Sequence, residues 1–100
     1  MRCSKISMRT IERTTAFKRD FKRVAKGPHR AALDTDLRRI IELLVVDAPL
    51  EIRHRDHALT GNWKDYRDCH VKPDLVLIYR LIEADRLVLV RLGSHSELDL

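Results

Sequence analysis

The chain has 100 residues, 44% of them apolar and only three each Gly and Pro, which suits one folded domain over residues 1–100 and excludes a disordered polymer. No apolar run reaches the length of a membrane span, and the opening MRCSKISM lacks the apolar stretch of a signal peptide. The net charge of +5 points to an anionic partner.

That charge is uneven. Residues 1–50 hold twelve Lys and Arg against six Asp and Glu, whereas residues 51–100 hold eight against nine. The cations are densest from Arg13 to Arg30, where Asp20 is the lone acid. Such a stretch suits phosphate or an acidic protein, although a solvated helix face looks the same, so charge alone does not decide. Translation from Met8 would leave residues 1–7 as a frayed extension. With Cys3 on that extension and Cys69 in a predicted strand, no disulfide framework is expected, and free thiols indicate a cytoplasmic protein.

Residues 8–13 alternate weakly and predict a short edge strand. Thr14 or Thr15 can cap a helix carrying Phe17, Phe21, Val24 and Ala25 on one face. Lys18, Arg19, Lys22, Arg23 and Lys26 cover the other face, and Gly27-Pro28 ends the helix. A second helix, from about Arg30 to Asp47, buries Leu33, Leu37, Ile40, Ile41 and Leu44 and stops at Ala48-Pro49. Residues 51–62 form a polar loop. Trp63 to Val71 then reads as a strand with Tyr66, Asp68 and His70 on one face and Arg67, Cys69 and Val71 on the other. After a turn at Lys72-Pro73-Asp74, Leu75–Ile82 is apolar enough to be a central strand. Residues 87–92 make the last strand, and the chain leaves the sheet at Gly93-Ser94-His95-Ser96. The expected fold is α+β, in the order β-α-α-β-β-β, with a helical hairpin packed on a small antiparallel sheet whose other face is partly open.

Chemistry concentrates in the second half. His70 ends one predicted strand, Asp74 follows the turn, and His95 comes just after the last strand, so the three share one edge of the sheet; the loop bearing His57 can fold over them. Metal-free RNA cleavage needs a base for the 2′-hydroxyl, an acid for the leaving 5′-oxygen and a cation for the phosphorane. Two imidazoles with a carboxylate to orient one of them would serve, and Lys64, Arg67 and Arg91 are candidate cations. A lone histidine is more often a surface or hydrogen-bonded residue than a catalyst, so the reading depends on the clustering. The same set offers four metal donors but no compact ligand motif, and metal ranks below acid–base chemistry. Cys69 faces away from His70 and suits packing better than nucleophilic attack. Trp63 and Tyr66 can stack on bases or pack in the core.

The segments Asp56-His57-Ala58-Leu59-Thr60-Gly61-Asn62-Trp63-Lys64, Tyr66-Arg67-Asp68-Cys69-His70-Val71-Lys72-Pro73-Asp74, Leu77-Ile78-Tyr79 and Gly93-Ser94-His95-Ser96-Glu97-Leu98 resemble the YafQ branch of the RelE/ParE toxin superfamily. The resemblance is specific over residues 56–98. It implies the RelE-like fold of two helices on an antiparallel sheet. It also implies a type II toxin that enters the ribosomal A site and cuts translated mRNA, is held by a cognate antitoxin, meets operator DNA only through that antitoxin, and needs no cofactor or metal. Carried over residue by residue, the active site is His57, His70, Asp74 and His95, with Asp68 in or beside it. Arg67, Lys64, Arg91, Lys18, Lys22, Arg23 and Lys26 would support catalysis or bind RNA. The matching pattern commonly continues with an aromatic residue where this chain has Asp99, and a carboxylate there weakens phosphate contacts. The alternative is a degenerate, non-catalytic toxin fold acting with its antitoxin on DNA.

Overall fold

A computed structural model of the chain describes residues 8–100; the proposed extension 1–7, with Cys3, lies outside the described residues. Five strands form one sheet: β1 (Thr10–Arg13), β2 (His57–Ala58), β3 (Arg67–Lys72), β4 (Leu75–Ile82) and β5 (Arg86–Gly93). Their spatial order is β1-β5-β4-β3-β2. The β3-β4-β5 meander is antiparallel, as expected. Two features were not anticipated: β1 lies parallel to β5, and the loop before the meander contributes the two-residue edge strand β2.

Between β1 and β2 runs the helical layer. Helix α1 (Thr15–Val24) begins where Thr14 caps it, the Thr14 hydroxyl oxygen accepting from the Phe17 amide at 2.9 Å. The same hydroxyl donates to the Val90 carbonyl at 2.8 Å, fixing the helix start to β5. The second helix comprises α2 (Arg30–Ala32), a π-helical turn (Leu33–Leu37) and α3 (Arg38–Val45). It ends two residues before the expected Asp47, which takes a left-handed φ of 60°.

The apolar residues of both helices meet one face of the sheet. Phe17, Val24, Leu33, Leu37, Ile40 and Leu44 pack on Cys69, Val71, Leu75, Leu77, Tyr79, Leu87, Leu89 and Leu92. This is the alternation predicted for β3 and the double burial predicted for β4. Phe21 departs from expectation at 38% exposed. It shares the helical face of Phe17 but overhangs the sheet margin, lining a hollow with Ile11, Ile41 and Leu89.

A second, smaller core covers part of the opposite sheet face. Val76 and Ile78 pack there with Leu98, flanked by Leu59, Trp63, Tyr66 and Val90. The segment expected to start the first meander strand is instead a 3₁₀ turn, Gly61–Trp63, so β3 begins at Arg67. Gly61 sits at φ 65° and Asp65 at φ 77°, left-handed positions that break the strand pattern. The expected tail closes into a short helix α4 (His95–Leu98). A reciprocal capping box starts it, Ser94 with Glu97.

One buried carboxylate joins these parts. Asp20 is 3% exposed. It accepts from Arg91 Nε at 2.6 Å, Arg23 Nη1 at 2.8 Å and the Leu92 amide at 3.0 Å. Burial alone would raise its pKa, but Arg91, the Leu92 amide and Arg23 outweigh that and hold it below the ordinary carboxylate range. A depressed carboxylate stabilises the fold above the unfolded-state value and loses that contribution as pH falls. Asp20→Ala is therefore expected to cost about 2–3 kcal/mol in urea melts at neutral pH, with the gap from wild type narrowing below about pH 4.

Candidate active site

Strand register assembles the site. β2 pairs with β3 so that His57 lies opposite Asp68. Two residues along β3, on the same face, His70 pairs with Val76 of β4, and Val76 with Gly93 of β5. Two residues beyond Gly93, His95 opens α4 and returns over the sheet, its ring centroid 4.9 Å from that of His70. Gly93 is small for a reason of space. A Cβ there would lie 2.8 Å from Glu97 Oε1 and 2.9 Å from Arg23 Nη2, displacing the ion pair that seats α4. The Gly-Ser-His stretch thus reads as close approach, helix cap and site residue in sequence.

His57, Asp68 and His95 line a hollow of about 470 Å³ with Leu59, Thr60, Asn62, Trp63, Asp99 and Leu100. His57 Nδ1–H donates to the Arg55 carbonyl at 2.7 Å, and Asp68 Oδ1 lies 3.1 Å from the same nitrogen. Both neighbours are acceptors, so the proton belongs on Nδ1 and Nε2 keeps a lone pair. Asp68 is 2% exposed, and its Oδ1 has no aligned hydrogen bond. Burial pushes its pKa up, opposed by the fields of His57, His70 and His95. Burial also lowers the pKa of His70, and adjacent His95 lowers it further.

The remaining predicted residues divide. Asp74 is exposed and lies 3.0 Å from His29 Nε2. It lines a neighbouring hollow with Arg23, His29, Ser94 and Glu97, not the one holding His57 and Asp68. It is near the expected sheet edge, but the chain turn aims it at the helical layer. Arg67 projects to the helix side of β3, where Asp56 binds it at 3.3 Å; Asp56 also accepts from the Tyr79 hydroxyl. Arg91 is engaged by Asp20, and Arg23 by Asp20, the Leu92 carbonyl and Glu97. Lys18 and Lys22 border the hollow beside Phe21, away from the histidines, and Lys26 is exposed on the turn after α1. Lys64 is exposed and carries no ion pair among the described residues. The Cys69 thiol is fully buried and its pKa is driven far up by burial, which leaves it protonated and inert.

Sequence reasoning missed His29, Arg55 and Asp56, and gave no role to His54. His54 is 2% exposed and bonded through Nδ1 to the His70 carbonyl at 2.7 Å, bracing the end of β3. Arg55 takes a left-handed φ of 49°, offers its carbonyl to His57, and its charge disfavours protonation of His70. Only its place next to the Asp56-His57 motif hinted at this.

A family model described as the bacterial toxin of the type II toxin–antitoxin system, YafQ, matches residues 9–100. The chain belongs to the YafQ toxin family. The mRNA interferase toxin YafQ of Escherichia coli K12 is 38% identical over 92 residues, 90% of this chain and 95% of its own. Among solved structures, YafQ in the Escherichia coli DinJ–YafQ toxin–antitoxin complex superposes with a TM-score of 0.78 at 37% identity, covering 91% of this chain and 97% of that one. A copper-bound mutant toxin from Helicobacter pylori gives a TM-score of 0.81 at 37% identity, covering 91% and 98%. The endoribonuclease read from the motifs agrees with the interferase name of the YafQ relative, and the α+β fold with the YafQ structures.

A buried carboxylate with a raised pKa destabilises the folded state at pH values above its ordinary range. Asp68→Asn keeps the shape and removes the charge. It is expected to raise stability by about 1 kcal/mol, or Tm by about 4–8 °C, at pH 7, with a smaller gain near pH 4. Calorimetric melts at the two pH values check both sign and window.

Proposed function

We propose that this chain is a ribosome-dependent endoribonuclease that cuts translated mRNA by metal-independent acid–base catalysis. The observation carrying the reading is the convergence of His57, His70 and His95 on one buried carboxylate, Asp68. His57, with Nδ1 committed to the Arg55 carbonyl, takes the 2′-hydroxyl proton through Nε2. The 2′-oxygen attacks the phosphorus, and the P–O5′ bond breaks as His95 donates a proton to the leaving oxygen. The products are a 2′,3′-cyclic phosphate and a free 5′-hydroxyl. Two imidazoles 4.9 Å apart do not share two charges cheaply. Burial and the neighbouring ring lower the pKa of His70, so the acid role is assigned to His95. Arg55 and Lys64 stabilise the phosphorane in place of the engaged Arg67 and Arg91. Asp74 acts from the rim once freed from His29.

Metal chemistry fits less well. Among the described residues no group of three or more His, Cys, Asp or Glu side chains is gathered to hold an ion, although the Helicobacter relative is described as copper-bound. On ribosomes translating a defined mRNA, His57→Ala and His95→Ala are expected to slow cleavage by about 10²–10⁴-fold, and Asp74→Asn by less. Chelator should change nothing, and naked mRNA should stay intact. Full activity in both histidine variants would remove the catalytic reading. Intact mRNA with wild type would instead favour the non-catalytic toxin fold acting on DNA through its antitoxin.

A cognate antitoxin would be held at the hollow beside Phe21. That hollow has a volume of about 710 Å³ and combines Ile11, Phe17, Phe21, Ile41 and Leu89 with Arg13, Lys18 and Lys22. Apolar floor and basic rim suit a segment of apolar and acidic residues. Such a segment would cover Lys18 and Lys22, cations otherwise available to ribosomal RNA, and so block docking without touching the histidines. Phe21→Asp is expected to weaken antitoxin binding at least tenfold while cleavage survives, measured by titration calorimetry beside the ribosome assay.

A further inference from the structure

We propose that a second hollow next to the histidine site is a base-reading subsite in which Asp99 selects guanine; this rests on the histidine hollow being the cleavage site. The second hollow, about 430 Å³, is lined by Tyr66, Arg91, Leu98 and Glu97, whose carboxylate is already paired with Arg23 and the Ser94 amide, and shares Asn62, Trp63 and Asp99 with the first. A nucleotide adjoining the scissile phosphate would therefore pass directly from one to the other.

Three features make this shared wall a reader. Asp99 follows α4 in a left-handed conformation, φ 59°, with its amide bonded back to the carbonyls of His95 and Ser96. Its main chain is thus fixed one helical turn from the proposed acid. Its carboxylate is exposed and makes no hydrogen bond or ion pair among the described residues. Trp63 is braced edge-on by Tyr66, with ring centroids 5.5 Å apart and planes at 87°, and Arg80 lies 5.7 Å from the Tyr66 ring. An indole held this way offers one face for stacking without loss of its own freedom.

A carboxylate only accepts hydrogen bonds. Guanine presents two adjacent donors, N1–H and the N2 amino group, which match its two oxygens, and Asn62 can donate to O6. Adenine offers one donor beside the lone pair of N1, which the carboxylate repels; cytosine likewise sets its amino group beside a lone pair, and uracil has one donor between two carbonyls. An aromatic side chain at this position would stack on any base. Asp99 replaces that tolerance with an edge requirement and, by repelling phosphate, weakens binding of every other base.

The test uses the intact chain with 3′-GMP and 3′-AMP as probes in titration calorimetry, alongside mapping of cut positions on translated mRNA. Wild type is expected to bind 3′-GMP about tenfold more tightly than 3′-AMP, and to cut with guanine at one fixed offset from the scissile bond. Asp99→Ala should abolish both preferences. Asp99→Asn, which tolerates the left-handed backbone and exchanges two acceptors for an acceptor and a donor, should shift them toward adenine. Equal affinity for the two nucleotides, or a guanine preference retained in Asp99→Ala, overturns the subsite. Nucleotide discrimination without any mRNA cleavage by wild type overturns the nuclease reading alone.

Discussion

The approach of α4 and the histidines to one another depends on a single carboxylate almost fully withdrawn from water. Asp20 projects from α1 into the end of β5 and takes hydrogen bonds from two guanidinium groups and a main-chain amide. Arg23 continues the chain of contacts to the Leu92 carbonyl and to Glu97, and Glu97 closes the capping box that starts α4. His95 is the first residue of that helix. The helical layer therefore does more than bury the sheet: through one ionic relay it sets the angle at which the His95 imidazole and Asp99 approach the opposite face.

The two buried carboxylates have opposite energetic characters. Asp20 is fully partnered, and its environment favours the ionised form. Asp68 is equally hidden but poorly bonded, and its environment penalises the charge. The first arrangement stabilises structure, and the second keeps an unsatisfied acceptor beneath three imidazoles at the cost of stability. That contrast separates framework from site more clearly than exposure does, since both groups are withdrawn from solvent.

Much of this was legible in the residues. The helical stripes, the apolar run of β4 and the alternation in β3 each record a burial pattern, and burial patterns follow from periodicity. His70 and His95 could be placed together because meander topology leaves their strand ends at one edge. Local turn geometry resisted the same reasoning. The 3₁₀ turn at Gly61–Trp63 and the left-handed Asp65 shorten β3, and the rotation of the Pro73-Asp74 turn sends Asp74 toward His29. Neither leaves a periodic trace. The pairing of Arg67 with Asp56 and of Arg91 with Asp20 was equally hidden, because ion pairs spanning 11 and 71 residues are decided by tertiary approach. Two of the three predicted cations were thereby committed elsewhere, and Arg55 was overlooked.

The parallel pairing of β1 with β5 has a consequence for how the toxin comes into being. Thr10 lies beside Arg86 and Arg13 beside Leu89, so β1 has no sheet neighbour until β5 is synthesised. The helix bearing His95 is later still. Contacts this distant in sequence form slowly and only once the intervening chain is complete. Until residues 86–98 have been made, neither the β1–β5 pairing nor the contact of His70 with His95 can exist. Closing the sheet along β1 and bringing His95 to His70 are therefore late events of the same folding step.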